Sequence, residues 1–270
     1  MRRSRSSGRQ SSSGEASTDP VTVSGAAGPP VDSFAQGTSA HTIPIFAAVI
    51  GLGTVFFTLV SHISQGRDPQ VPTISLTAFR PGSLESFTFT IGLCCAASLL
   101  IMTGFILSWR FPSKGLLARA SFWSGNIAAA GLAITCAVPL QENILDILNQ
   151  PRDKREFTVQ SNIHTVAANT FFLGSLLHAI LYTLHLRSVG AADQTSLKLK
   201  YATILLSCCF ILSPLLLTMY PSIIKGSRMS VVAFNQYGAI ISLLCFFATY
   251  TIDLRGYKIM LEKNAPIKVK

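Results

Sequence analysis

Long uncharged stretches alternate with short charged loops along most of this chain. Each stretch has at least about 20 residues, the length that a helix rising about 1.5 Å per residue needs to cross a bilayer. Because backbone amides inside lipid cannot bond to water, such stretches must be helical. The six predicted spans are Thr42–Ser61, Ser86–Trp109, Ala120–Gln141, Phe157–Leu186, Tyr201–Ile224 and Met229–Ile252. The predicted fold is an all-α polytopic membrane protein, a bundle of six transmembrane helices.

The composition supports this class and leaves little chain for a soluble domain. Hydrophobic residues make up 49% of the 270 residues and charged residues 13%, whereas a soluble domain carries about 25% charged residues. The first forty residues contain ten serines and no leucine or isoleucine, too little apolar surface for folding. We therefore predict a disordered tail over residues 1–41, a transmembrane domain over 42–254 and a basic tail over 255–270.

The positive charges predict the orientation of the chain. Of the 22 lysines and arginines, 15 fall on the side of the six spans that holds both chain ends, and 7 fall on the other side. The positive-inside rule then places both termini in the cytosol. The cations lie at membrane edges without a recognition motif, which argues against nucleic-acid binding and for contact with membrane lipid.

The residues give no sign of a metal site or a cofactor. All six cysteines lie inside predicted spans, where they cannot form the loop frameworks typical of disulfides or zinc. His164 and His178 are about 21 Å apart along one helix and cannot share an ion. The chain also lacks the HExxH and GxSxG motifs.

Polar residues at membrane depth are costly, so each is a candidate for function. Seven of them gather near the outer end of the predicted bundle. One is Gln141, and the six candidate lipid contacts are Glu85, Glu142, His164, Asn169, Asn235 and Gln236. One hypothesis is that they are solvated among headgroups or bond between helices; the other is a polar cup for a lipid headgroup. A Glu85–His164 acid/base pair is conceivable, so enzymatic activity stays open. His178, Tyr182 and His185 share one helical face, which is typical of bonding between helices.

Several short motifs resemble one family of membrane proteins. They are Pro72-Thr73-Ile74-Ser75 before Glu85, Ile91-Gly92-Leu93, the run from Phe157 to Asn162, Ser175-Leu176-Leu177-His178, and Gln236-Tyr237. Together they are similar to the FRAG/DRAM/Sfk-type family, most closely its post-GPI-attachment-to-proteins factor two branch. The resemblance covers about residues 42–262.

The resemblance implies a function that the residues alone do not. The branch is associated with remodelling the lipid of GPI anchors in the Golgi and endoplasmic reticulum, by restoring a saturated chain to a lyso-GPI. Luminal-leaflet lipid and GPI-anchored proteins are the implied partners. The DRAM-like branch implies the alternative, a non-enzymatic regulator of autophagy and lysosomal membranes.

Overall fold

The computed structural model of the chain describes residues 38–66, 71–78, 80–111, 115–150, 154–190, 193–219 and 228–259. These residues belong to one compact unit. Their helices are α1 (Thr42–Ser64), α2 (Ile74–Thr77), α3 (Leu84–Arg110), α4 (Leu116–Ala137), α5 (Ile144–Asn149), α6 (Val159–Ser188), α7 (Gln194–Met219), α8 (Arg228–Ala248) and α9 (Tyr250–Asp253). The strands are β1 (Thr38–Ser39) and β2 (Lys258–Ile259). The predicted all-α class is confirmed.

Five helical segments in the described residues are long and apolar enough to cross a bilayer, as expected for a polytopic membrane protein. They are Thr42–Ser64, Leu84–Arg110, Val159–Ser188, Gln194–Ser213 and Ser230–Asp253. The remaining predicted span corresponds to α4, which has 22 residues. The polar side chains of Ser121, Ser124 and Asn126 lower its mean hydropathy, and it is not among the five.

A proline ends α4 four residues before the predicted end of the third span. The hydrophobic pattern extends to Gln141, but α4 ends at Ala137. Pro139 disfavours helical conformation in Val138 before it, and Val138 is extended. Gln141 instead lies in the connection to α5, where its amide oxygen accepts a hydrogen bond from the backbone N–H of Thr158 at 2.8 Å. This bond holds the start of α6 against the end of α4.

The fifth long helix begins earlier than the hydrophobic pattern predicts. The predicted span starts at Tyr201, whereas α7 starts at Gln194. Asp193 caps the helix, since its carboxylate accepts a bond from the N–H of Thr195 at 2.7 Å. That bond lowers the pKa of the Asp193 carboxyl from its ordinary value. Residues 220–224, the predicted end of this span, lie outside the described residues.

Small residues let α4 and α6 pack antiparallel with their backbones in close contact. A Cβ built at Gly131 would lie 2.9 Å from the carbonyl oxygen of Ala167. A Cβ at Gly174 would lie 3.1 Å from the Cβ of Ala128. Glycine at these positions removes the side chain that would separate the helices, as is common where membrane helices meet. The contact runs along the apolar part of α6.

The two ends of the described chain meet at one end of the bundle. Strands β1 and β2 pair antiparallel, and the buried Ala40 donates its N–H to the carbonyl of Tyr257 at 3.0 Å. Residues 38–41 and 255–259, which the sequence assigns to the tails, therefore belong to the folded bundle. The rest of both predicted tails lies outside the described residues. We call the end with the strand pair the proximal end, and the opposite end the distal end.

A buried ion pair fastens α7 to the end of α8 and α9 near the proximal end. The ammonium of Lys200, which is fully buried, lies 2.8 Å from the carboxylate of Asp253. It also donates to the hydroxyls of Ser196 at 2.8 Å and Thr249 at 2.7 Å. Tyr182 donates to the same carboxylate at 3.2 Å. Lys200 is one of the 15 cations that the sequence assigns to the cytosolic side, just before the predicted span at Tyr201, and this network was not predicted.

We expect Lys200→Met to lower the free energy of unfolding by about 3–5 kcal/mol, because Asp253 would stay buried without its cation. Lys198→Met is the matched control, since Lys198 is exposed on the same helix and its loss should change stability by less than about 0.5 kcal/mol. Unfolding of both purified variants in detergent measures the difference. Similar losses in the two variants would contradict the assignment.

Candidate functional site

A cavity of about 540 Å³ lies at the distal end, between α2, α6, α7 and α8. Most of its wall is apolar: Leu76, Leu140, Ile144, Phe157, Ala168, Phe172, Leu173, Phe210, Ile211, Leu212, Val232 and Ala239. The polar lining residues are Thr73, Ser75, His164, Thr165, Asn169, Asn235 and Gln236. None of these lining residues is Asp, Glu, Lys or Arg, so the cavity suits neutral polar groups such as esters and hydroxyls beside hydrocarbon.

One face of α6 supplies much of the cavity wall. Residues at i, i+1, i+4, i+5, i+8 and i+9 from His164 share this face and line the cavity. Asn169 is exposed there and has no hydrogen-bond partner among the described residues. An amide without a partner at membrane depth is costly. Asn169 is therefore available to bond a ligand in the cavity.

Two neighbouring amides on α8 face the cavity with their oxygen atoms occupied. Asn235 accepts a bond from the hydroxyl of Ser213 at 2.6 Å. Gln236 accepts a bond from the backbone N–H of Ile74 at 3.3 Å. Because an N–H can only donate, the oxygen of the Gln236 amide must face Ile74, which leaves the NH₂ group to donate elsewhere.

His164 connects three parts of the chain at this site. Its Nδ1 lies 2.6 Å from the carbonyl oxygen of Val138, and its Nε2 lies 2.8 Å from the hydroxyl of Ser75. A carbonyl oxygen can only accept, so Nδ1 carries the proton. The neutral ring then has a lone pair on Nε2, which accepts the bond from Ser75.

Residues 39–257 match the family described as the Frag1/DRAM/Sfk1/Cwh43P N-terminal domain. The chain belongs to this family. No curated protein matches it, and no solved structure does. The match covers all six long helices and every described residue that lines the distal cavity, so the site lies within the Frag1/DRAM/Sfk1-type domain.

The structure brings four of the six predicted site residues of this Frag1/DRAM/Sfk1-type protein to one cavity: His164, Asn169, Asn235 and Gln236. Sequence reasoning did not select Ser75 as a site residue. The signal was present, because Ser75 ends the Pro72–Ser75 motif on which the resemblance partly depends. What the sequence could not give was the contact between this loop and α6.

Glu85 lies elsewhere and bonds α3 to α1. Its carboxylate accepts a bond from the hydroxyl of Ser61 at 2.7 Å and a second bond from the amide of Gln65. The residue is only 2% exposed, so these donors leave it little access to a ligand. Both ring nitrogens of His164 bond other groups, and the conceivable Glu85–His164 pair is not formed. Glu85 holds two helix ends together.

Glu142 is exposed before α5 and does not line the cavity. Among the described residues, no group of three or more His, Cys, Asp or Glu could hold a metal ion. The six cysteines are all described and all free. The chemistry available at the distal site is therefore that of one imidazole, hydroxyls and amides.

A smaller cavity of about 190 Å³ lies closer to the proximal end, between α3, α4, α6 and the last turns of α8. His178, Tyr182 and His185 line it. His178 bonds the carbonyl of Ser121 at 2.7 Å through Nδ1 and the hydroxyl of Tyr250 through Nε2. The predicted bonding of His178 between helices is confirmed, and it ties α6 to α4 and to α9.

We expect Glu85→Ala to lower the free energy of unfolding by about 1–2 kcal/mol, because it removes the buried carboxylate that accepts bonds from the half-buried Ser61 and the exposed Gln65. Glu142→Ala is the matched control and should leave stability within about 0.5 kcal/mol of the parent. Thermal unfolding in detergent compares the variants. An unaffected Glu85→Ala protein would show that the α1–α3 bonds contribute nothing.

Proposed function

We propose that this protein binds a lipid of the luminal leaflet in the distal cavity and acts in the lipid remodelling of GPI anchors. His164, Asn169, Asn235 and Gln236 would contact the ester and hydroxyl groups of the lipid, and the apolar wall would hold an acyl chain. GPI-anchored proteins would be the molecules that carry the lipid. The compartment would be the Golgi or endoplasmic reticulum.

The observation that carries this proposal is the amphiphilic lining of the distal cavity. Ligand sites are mostly apolar concavities with a few convergent polar groups, and this cavity has that composition at about 540 Å³. Asn169 offers a hydrogen-bonding group without a partner within the described residues, and Gln236 offers a free NH₂ group. A polar lipid with one acyl chain in the wall would satisfy both.

The topology that places this cavity in the luminal leaflet has six spans, with α4 as the sixth. The strand pair supports this count, because an odd number of crossings between β1 and β2 would put them on opposite faces of the membrane. The packing of α4 along the apolar part of α6 supports it too. With both termini in the cytosol, as the positive-inside rule favours, the distal end faces the lumen.

Engineered glycosylation sites test this topology. We expect an acceptor sequence inserted within residues 67–70 or 151–153 to be glycosylated in the endoplasmic reticulum. The same sequence inserted within 112–114 or 191–192, or added after Lys270, should remain unmodified. Gel mobility before and after glycosidase treatment measures the result. Glycosylation on both sides of α4 or on neither side would contradict a sixth span.

The lipid carried by GPI-anchored proteins tests the function. In cells lacking this protein, we expect anchors with an altered chain composition by mass spectrometry, and reduced surface levels of GPI-anchored proteins. Ala168→Trp should fail to restore the normal lipid, because the indole would fill the cavity. Ala130→Trp, which faces outward from α4, is the matched control and should restore it. Unchanged anchor lipid after deletion would contradict the GPI assignment.

A second candidate function follows from the family description, which also contains DRAM. In that case the protein would regulate autophagy or lysosomal membranes without catalysis. A tagged protein that localises to lysosomes, in cells whose GPI lipid is unaffected by the deletion, would favour this function over the first.

A further inference from the structure

We propose that Ser75 and His164 are a nucleophile and its general base, and that they transfer an acyl chain between lipids bound in the distal cavity. The inference rests on the proposed lipid site and adds chemistry to it. It assigns a covalent role to a serine that the sequence analysis did not select.

The geometry of this pair is that of an activated nucleophile. The hydroxyl of Ser75 lies 2.8 Å from Nε2 of His164, inside the reach of about 2.6–3.2 Å that such pairs need. The Nδ1–H of His164 donates a hydrogen bond to the carbonyl oxygen of Val138, with an N···O distance of 2.6 Å. That bond fixes the tautomer with its lone pair toward Ser75. A nucleophile, a base and a group that orients the base are therefore all in place.

The surroundings of Ser75 expose its hydroxyl to a ligand while its backbone is held. Ile74 and Leu76 on either side are buried, at 6% and 3% exposed. Ser75 itself is half-buried and lines the cavity. The base is 4% exposed. Both members of the pair thus line the cavity that is proposed to hold lipid.

The cavity also offers hydrogen-bond donors for a developing oxyanion. The amide oxygen of Gln236 accepts the N–H of Ile74, next to the nucleophile, so its NH₂ group is available on the other side. The amide of Asn169 lines the same cavity without a partner among the described residues. Donors fixed in a site of low polarity stabilise an oxyanion by several kcal/mol, about 2.7–4 for one donor. These donors are neutral, like the other polar residues that line the described part of the cavity.

The reaction has two balanced halves. The oxygen of Ser75 attacks the carbonyl carbon of a lipid ester while His164 Nε2 takes the hydroxyl proton. The ester C–O bond breaks, and the departing alcohol takes that proton from His164, which leaves an acyl ester on Ser75. A hydroxyl of an acceptor lipid then gives its proton to Nε2 and attacks the acyl carbon. Ser75 leaves and recovers the proton, so the step needs no oxidant, reductant or metal.

A purely structural role would give the same hydrogen bond, since Ser75 also fastens α2 to α6. The two roles differ in reactivity. A serine that only holds a loop reacts poorly with a fluorophosphonate, whereas a serine with a base and oxyanion donors is phosphonylated on oxygen with loss of fluoride. The test therefore measures covalent modification of Ser75 in addition to any activity.

The experiment treats the purified full chain in lipid nanodiscs with an alkyl fluorophosphonate, and mass spectrometry locates the adduct. We expect a single adduct on Ser75 and none in Ser75→Ala. His164→Gln should slow labelling by about 10²–10⁴-fold, the contribution of a general base. Gln236→Leu should slow it by about 10²–10³-fold, the contribution of one oxyanion donor. Ser98→Ala, an exposed serine on α3, is the matched control and should label like the parent.

Hydrogen exchange over residues 73–78 checks that α2 stays docked in each variant. Slowed labelling with unchanged exchange supports the catalytic roles. Lack of any adduct on Ser75 in the parent protein overturns the inference, as does equal labelling in His164→Gln. A second readout is an acyl group on Ser75 after incubation with a phospholipid that carries an alkynyl acyl chain, and its removal by hydroxylamine supports an ester.

The outcomes separate this inference from the proposed function. If a photoactivatable lipid labels the cavity but Ser75 never reacts, the protein binds lipid without catalysis and the inference is wrong. If Ser75 is acylated while GPI lipid is unchanged in deleted cells, the acyl transfer stands and the GPI assignment fails.

Discussion

The hydrogen bond between His164 and the carbonyl of Val138 is the interaction on which the distal end depends. It exists because Pro139 stops α4, so the carbonyl of Val138 is free of helix bonding and needs a donor. His164 supplies that donor from the first turns of α6. The bond holds the start of α6 against the end of α4. Because it uses Nδ1–H, Nε2 is the ring nitrogen that accepts the hydrogen bond from Ser75. One proline thus determines the position of a loop that is far away in the sequence.

The two ends of the bundle differ in the kind of polar groups that they hold. The proximal end has a charged network, and the His185 Nε2 and the Thr251 hydroxyl are buried there without a partner among the described residues. The distal cavity is lined by neutral amides. Near the proximal end, Lys200 bonds a carboxylate and two hydroxyls. At the distal end, Asn169 and the NH₂ group of Gln236 face a cavity. An unsatisfied polar group destabilises the fold where the polarity is low. A ligand that bonds to such a group removes this penalty. The proximal end is therefore held by charged contacts between helices, and the distal end presents neutral amides to its cavity.

The sequence predicts the features that depend on residues close together along the chain. Length and hydropathy identify the long helices, and their alternation brings His164, Asn169, Asn235 and Gln236 to one end. The third span is predicted to end at Gln141, because the hydrophobic pattern continues to that residue. The helix ends at Ala137 instead, because Pro139 stops it. The ion pair of Lys200 was not predicted, because its carboxylate partner, Asp253, is on another helix. Ser75 was overlooked for a similar reason, since it bonds a histidine 89 positions away.

A backbone carbonyl, and not a carboxylate, orients His164. A carboxylate beside the imidazole stabilises the charged ring that forms when the base takes a proton. A neutral carbonyl stabilises it less, so the base in the proposed acyl transfer would be weaker than one oriented by a carboxylate. The carboxylate of Glu85 is engaged by α1 and does not line the cavity. Because Glu85 is excluded, the described lining residues of the cavity carry no formal charge, and such a lining suits the acyl chain of the proposed lipid.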